Sequence, residues 1–161
     1  MEPFIFVDNN NISNEFCDTI LNLGETIIPL YPEESNDWYS ITNLLVLNLT
    51  NAIESFIQKY SLDIYNISNI LQNTSFLQSN MEINQTSNDI YHSDFGVTDK
   101  LHSTISYLWC LSENANIIFN GFYTINIKKG DLVLFPATWE YQYKFLSPCI
   151  YIKGILYNSY E

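Results

Sequence analysis

Basic side chains are scarce in this 161-residue chain: six stand against 18 acidic ones, for a net charge of -12. A surface of that sign repels phosphate backbones and anionic lipid. It disfavours nucleic acid and membrane as partners and leaves a basic or neutral protein open. Histidine is rarer still, with only His92 and His102. Cysteine is limited to Cys17, Cys110 and Cys149, an odd number at wide spacing. Without a CxxC or Cys/His cluster, neither structural zinc nor a disulfide framework is implied, and a reducing compartment is expected. No apolar run approaches the roughly 18 residues of a membrane span. The opening Met1-Glu2-Pro3-Phe4-Ile5-Phe6-Val7 lacks the positive region and apolar length of a signal peptide. A cytoplasmic protein is expected, or one of the host cytoplasm if this is a small viral rather than bacterial gene product. Repeats, linkers and low-complexity blocks are also lacking, so residues 1–161 are read as one domain.

What is present is apolar and aromatic. Hydrophobic residues make up 47% and aromatic residues 16% of the chain, enough for a packed core, while 15% is charged. The abundance of Asn, Ile and Tyr fits an A/T-rich genome. Sequons such as Asn48-Leu49-Thr50 and Asn66-Ile67-Ser68 are expected by chance in such a composition.

The periodicities divide the chain. Phe4 to Val7 reads as a short strand closed by Asp8-Asn9-Asn10. Ser13 is placed to cap a helix with Phe16, Cys17, Ile20, Leu21 and Leu23 on one side, ended by Gly24. From Asp37 or Ser40 a longer helix carries Ile41, Leu44, Leu45, Leu49, Ala52, Ile53, Phe56, Ile57 and Tyr60 at three- and four-residue steps. Ile64 to Ser79 is ambiguous. Met81 to Gln85 reads as a strand, Thr86 to Asp89 as a turn and Gly96 to Lys100 as a loop. Strands then follow at Ser103–Leu111, 116–119, 123–128, 131–135, 141–145 and 149–157, with Asn120-Gly121 and Lys129-Gly130 as hairpin signals. Helices first and short strands after predict an α+β chain whose β part closes as a sandwich.

One short stretch suggests chemistry. In an extended chain residues two apart share a face, so His92 and Asp94 present an imidazole and a carboxylate side by side. That is two thirds of a facial triad for non-haem Fe(II), which needs two histidines and one carboxylate. A later block, Gly130-Asp131-Leu132-Val133-Leu134-Phe135-Pro136-Ala137, turns at Gly130, alternates along a buried strand and stops pairing at Pro136. A strand that ends so abruptly can set the following residues at a barrel mouth.

In their order these pieces resemble the prolyl-4-hydroxylase-like Fe(II)/2-oxoglutarate oxygenases. Phe4 to Asp8 followed by Asn14-Glu15-Phe16-Cys17-Asp18 is similar to that family's opening strand and helix. Tyr91-His92-Ser93-Asp94 matches its His-x-Asp, and Ser106-Tyr107-Leu108 its Tyr-Leu-Asn strand. Gly130 to Ala137 with Trp139 resembles its Gly-x-Leu-x-x-Phe-Pro-Ala-x-Trp segment, and Tyr151-Ile152 with Gly154 its closing strand. The resemblance implies a double-stranded β-helix (jelly roll) buttressed by N-terminal helices. It also implies Fe(II) and 2-oxoglutarate as cofactors.

The expected second histidine is missing. Counting from Phe135-Pro136 places Tyr143 at that ligand position, with Tyr141 two residues earlier on the same face and Glu140 turned away. His102 precedes a core strand, in the wrong segment for a third ligand. The implied metal set is His92, Asp94 and Tyr143. Lys153, ten residues after Tyr143, would bind the distal carboxylate of 2-oxoglutarate, with Tyr91 contributing to that pocket. Aligning on Tyr151-Ile152 instead makes Lys153 an ordinary strand lysine. Tyr91, Trp109, Tyr141 and Tyr143 would line the site or fill the barrel core. A neutral phenol of pKa about 10 is a poor Fe(II) ligand, although phenolate binds ferric iron. Two functions follow: an oxygenase hydroxylating a protein side chain or small molecule, or a catalytically degenerate jelly-roll binding or assembly module. Either leaves the substrate unnamed and homo-oligomerisation open.

Overall fold

The structure, a computed structural model, describes residues 4–60, 77–78, 81–86, 90–94, 101–138 and 140–159. Trp139, the expected loop at Gly96 to Lys100, and most of the Ile64–Ser79 and Thr86–Asp89 stretches lie outside the described residues.

Ser13 caps α1 (Asn14–Asn22) as its hydroxyl predicts, accepting from the Phe16 amide at 3.1 Å. Gly24 closes the helix at φ +69°, a left-handed conformation that favours glycine. Ser13→Ala removes the acceptor and should cost about 1 kcal/mol, read as a lower urea midpoint at unchanged slope. An unmoved midpoint would mean that water caps the helix equally well. In α2 (Tyr39–Tyr60), Ile41, Leu45, Leu49, Ala52, Phe56 and Tyr60 form the buried stripe. Leu44, expected there, is 38% exposed. Thr42 is buried instead, because its hydroxyl donates to the Pro29 carbonyl at 2.9 Å. Among the described residues no helix is long and apolar enough to cross a membrane.

Among the described residues the strands are, in chain order, β1 (Phe6–Asp8), β2 (Ile27–Ile28), β3 (Leu77–Gln78), β4 (Met81–Gln85), β5 (Leu101–Cys110), β6 (Asn114–Phe119), β7 (Tyr123–Lys128), β8 (Leu132–Pro136), β9 (Tyr143–Phe145) and β10 (Ile150–Ser159). A seven-stranded sheet runs β1-β8-β5-β10-β4-β2, with β3 also on β10, and a three-stranded sheet runs β7-β6-β9. The pairings are antiparallel. The fold is the expected α+β jelly roll. Its two cores follow strand parity. Ile105, Tyr107 and Trp109 of β5 and Leu132 and Leu134 of β8 pack with α1 and α2. Leu108, Cys110, Val133 and Phe135 face the small sheet. Buried on both sides, β8 is apolar at every position.

The two turn signals part company. Asn120 and Gly121 have φ of 54° and 80° and join β6 to β7 in a tight hairpin, closed by the Phe122 amide on Phe119 O at 3.2 Å. Lys129-Gly130 also turns, but between β7 of the small sheet and β8 of the large one, so it is no hairpin. The buried Asp131 carboxylate steadies this crossing by accepting from the Asn10 amide at 3.0 Å and the Lys128 amide at 2.8 Å. The three cysteines are free and buried. Burial pushes the Cys17 thiol up to about 11.

Candidate functional site

The segment carrying His92 and Asp94 is held by a single antiparallel bridge rather than a strand. The His92 amide donates to Tyr143 O at 2.7 Å and the Tyr143 amide to His92 O at 3.0 Å, which lays the segment along β9. The Tyr143 ring is buried among aromatic rings, with centroids 5.4 Å from His92, 5.3 Å from Phe135 and 6.4 Å from Phe145. Its hydroxyl lies 3.5 Å from Asp94 Oδ1, at the outer limit of a hydrogen bond.

The other Asp94 oxygen is met from the large sheet. Ser106 Oγ on β5 donates to Oδ2 at 2.6 Å, and Lys153 Nζ on β10 lies 2.9 Å from the same atom. Lys153 also donates to Gly154 O at 2.8 Å and sits 5.7 Å from the Phe135 ring centroid. Burial pulls the Lys153 ammonium below its usual pKa, and Asp94 acts against that by favouring the charged form. Two residues along the same face of β5, the buried Thr104 hydroxyl has no hydrogen-bond partner among the described residues.

His92, Asp94, Tyr143 and Lys153 are therefore brought together where the two sheets meet. Tyr91 is not. It is 41% exposed, with the Lys144 ammonium 5.5 Å over its ring. Trp109 is also elsewhere: an odd position on β5, it faces the helices and donates to Asn11 Oδ1 at 2.8 Å. Tyr141 precedes β9 in a turn, where strand alternation does not apply, and its hydroxyl accepts from the Phe4 amide at 3.0 Å. Its phenol is raised by burial. Ser106 enters the sequence reading only as part of a strand and not as a site residue, yet a signal exists. Thr104 and Ser106 are hydroxyls on the inward parity of a strand otherwise rich in large apolar side chains.

No family model matches the chain. A search of curated proteins finds no match either. Solved structures do match. A viral collagen prolyl hydroxylase from Paramecium bursaria Chlorella virus-1 superposes with a TM-score of 0.65 at 11% identity, over 98% of this chain and 90% of that one. The same enzyme in its 2-oxoglutarate complex gives 0.64 at 10% identity, covering 96% of each chain. A Pseudomonas putida prolyl-4-hydroxylase gives 0.63 at 8%, over 99% and 88%. The fold is that of the prolyl 4-hydroxylases. At these identities the likeness shows architecture, so any role for the prolyl hydroxylase fold here has to be argued from this chain's own side chains.

Those side chains fit poorly to the Fe(II) that such a fold implies. The facial triad needs two imidazoles and one carboxylate with a free oxygen. Beside His92 and Asp94 stands the phenol of Tyr143, and both Asp94 oxygens face hydrogen-bond donors, one of them an ammonium. Among the described residues no group of three or more His, Cys, Asp and Glu side chains could hold a metal ion. Toward 2-oxoglutarate, Lys153 presents a buried ammonium already paired with Asp94, and Thr104 a buried hydroxyl without a hydrogen-bond partner among the described residues.

Proposed function

We propose that this chain uses the prolyl hydroxylase architecture as a binding module and does not carry out iron-dependent hydroxylation. The observation that carries this reading is Tyr143. Its phenol stands where the family resemblance puts a second imidazole, fixed by a two-way backbone bridge to His92 and by a wall of aromatic rings. Binding a metal there as phenolate costs a deprotonation that an imidazole does not require. The test is anaerobic Fe(II) titration beside succinate release from 2-oxoglutarate. Weak binding and no succinate above a protein-free control are expected. Tight stoichiometric binding with turnover would put an oxygenase first.

That oxygenase, acting on a protein side chain or small molecule, is the second reading. It is favoured by Lys153 meeting Asp94 two residues from His92, and by the orphaned Thr104 hydroxyl. Under it Lys153 would take the distal carboxylate of 2-oxoglutarate. The viral structure's association with collagen would make a proline-containing protein the first substrate to try.

A further inference from the structure

Asp94 is a nearly buried carboxylate, its side chain 12% exposed, and a charge so placed needs a counter-charge. In a metalloenzyme of this fold a divalent cation would supply it. In this chain the counter-charge is already present. The Lys153 ammonium, 10% exposed, meets Asp94 Oδ2 at 2.9 Å, the Gly154 carbonyl at 2.8 Å and the π face of Phe135 at 5.7 Å. An ammonium is a compact point charge with three donors, and this one has three partners of the kind that suits a cation. Ser106 completes the arrangement by donating to the same carboxylate oxygen at 2.6 Å.

We propose that Lys153 is a resident counter-cation that stands in for a divalent metal beside Asp94, neutralising the carboxylate, tying the His92–Asp94 segment to the large sheet and barring a metal from that oxygen. The inference rests on the non-catalytic reading and adds what replaced the metal. It explains how a buried carboxylate is kept without one: the fold carries its own positive charge on β10, inserted from the sheet opposite the β9 bridge. A divalent ion approaching Asp94 would have to displace an ammonium held by three groups, or share a carboxylate oxygen with it against like-charge repulsion.

The test is a double-substitution cycle, Lys153→Met, Asp94→Asn and both together, melted in EDTA and again with millimolar Mn(II). In EDTA each single substitution leaves its partner unpaired and should lower Tm by roughly 10 °C. The double substitution should lose clearly less than the sum of the two. Mn(II) should leave the wild-type Tm unchanged and raise that of Lys153→Met by several degrees, because the freed carboxylate and His92 can then hold it. It should do nothing for the double variant. Additive losses in EDTA would overturn the inference. So would stoichiometric Mn(II) binding by the wild type, followed by electron paramagnetic resonance, a measurement that stands even if Lys153→Met does not fold. Succinate release by the wild type would sink the non-catalytic reading and the exclusion of metal with it, whereas additive losses in EDTA without succinate release would sink the inference alone.

Discussion

Gly154→Ala should cost the folded state about 3 kcal/mol, at the upper end for overpacking a core. A Cβ at this position would lie 2.1 Å from the Tyr107 hydroxyl oxygen and 2.2 Å from Cζ, far inside van der Waals contact. Tyr107 sits directly opposite on β5, fully buried and edge-on to Trp109 at 5.6 Å, so moving its ring would disturb close-packed core. The strand cannot retreat either, since β10 pairs on both sides with β5 and β4. Urea denaturation measures the effect. Removing the ring should restore part of it, so Tyr107→Ala with Gly154→Ala should lose less than the two single losses added. A loss below about 0.5 kcal/mol for Gly154→Ala would mean that the ring swings aside freely, against the packing described.

Tyr143→His should strengthen Fe(II) binding at least tenfold. Groups that merely orient a metal's ligands are worth about 10–100-fold in affinity, and a directly ligating imidazole should not be worth less. The β9 bridge would hold the new ring beside His92, as it holds the phenol now. Lys153 would still compete for Asp94, so the gain should grow when 2-oxoglutarate is added, because its carboxylates offer the ammonium another partner. Adding Lys153→Met should make the gain independent of 2-oxoglutarate, and adding His92→Ala should abolish it. Anaerobic titration with and without 2-oxoglutarate separates these cases, and succinate release by Tyr143→His shows whether chemistry returns with affinity. No gain from Tyr143→His in a protein that melts normally would show that the site has lost more than one ligand.

Local signals in the sequence were legible wherever local physics decides. Met81 to Gln85 and Tyr123 to Lys128 are strands at the expected bounds, and Asn120-Gly121 turns a hairpin because both residues accept positive φ. Ile27–Ile28 was not legible, since a strand of two residues has no period to read. Lys129-Gly130 was misread for another reason. A turn's chemistry fixes that the chain reverses, not which sheet it enters next. Trp109 could have been assigned to the helix side had Ser106 been taken as inward, as parity then settles every residue of β5. At the site, His92, Asp94, Tyr143 and Lys153 were nameable from spacing and resemblance. The contact between Asp94 and Lys153 was not, because it depends on how two sheets close over one another.

The position of β10 bears on how the protein is made. This strand, drawn from residues 150–159, lies inside the large sheet between β5 and β4 rather than at its edge. While a ribosome still holds those residues, β5 and β4 have no partner along facing edges, and unpaired edges recruit other chains. Closing the sheet also requires pairing across long separations, such as Phe6 with Leu134, which slows folding. The nascent chain therefore completes its sheet late, and its window for misassociation lasts until β10 is released and inserted.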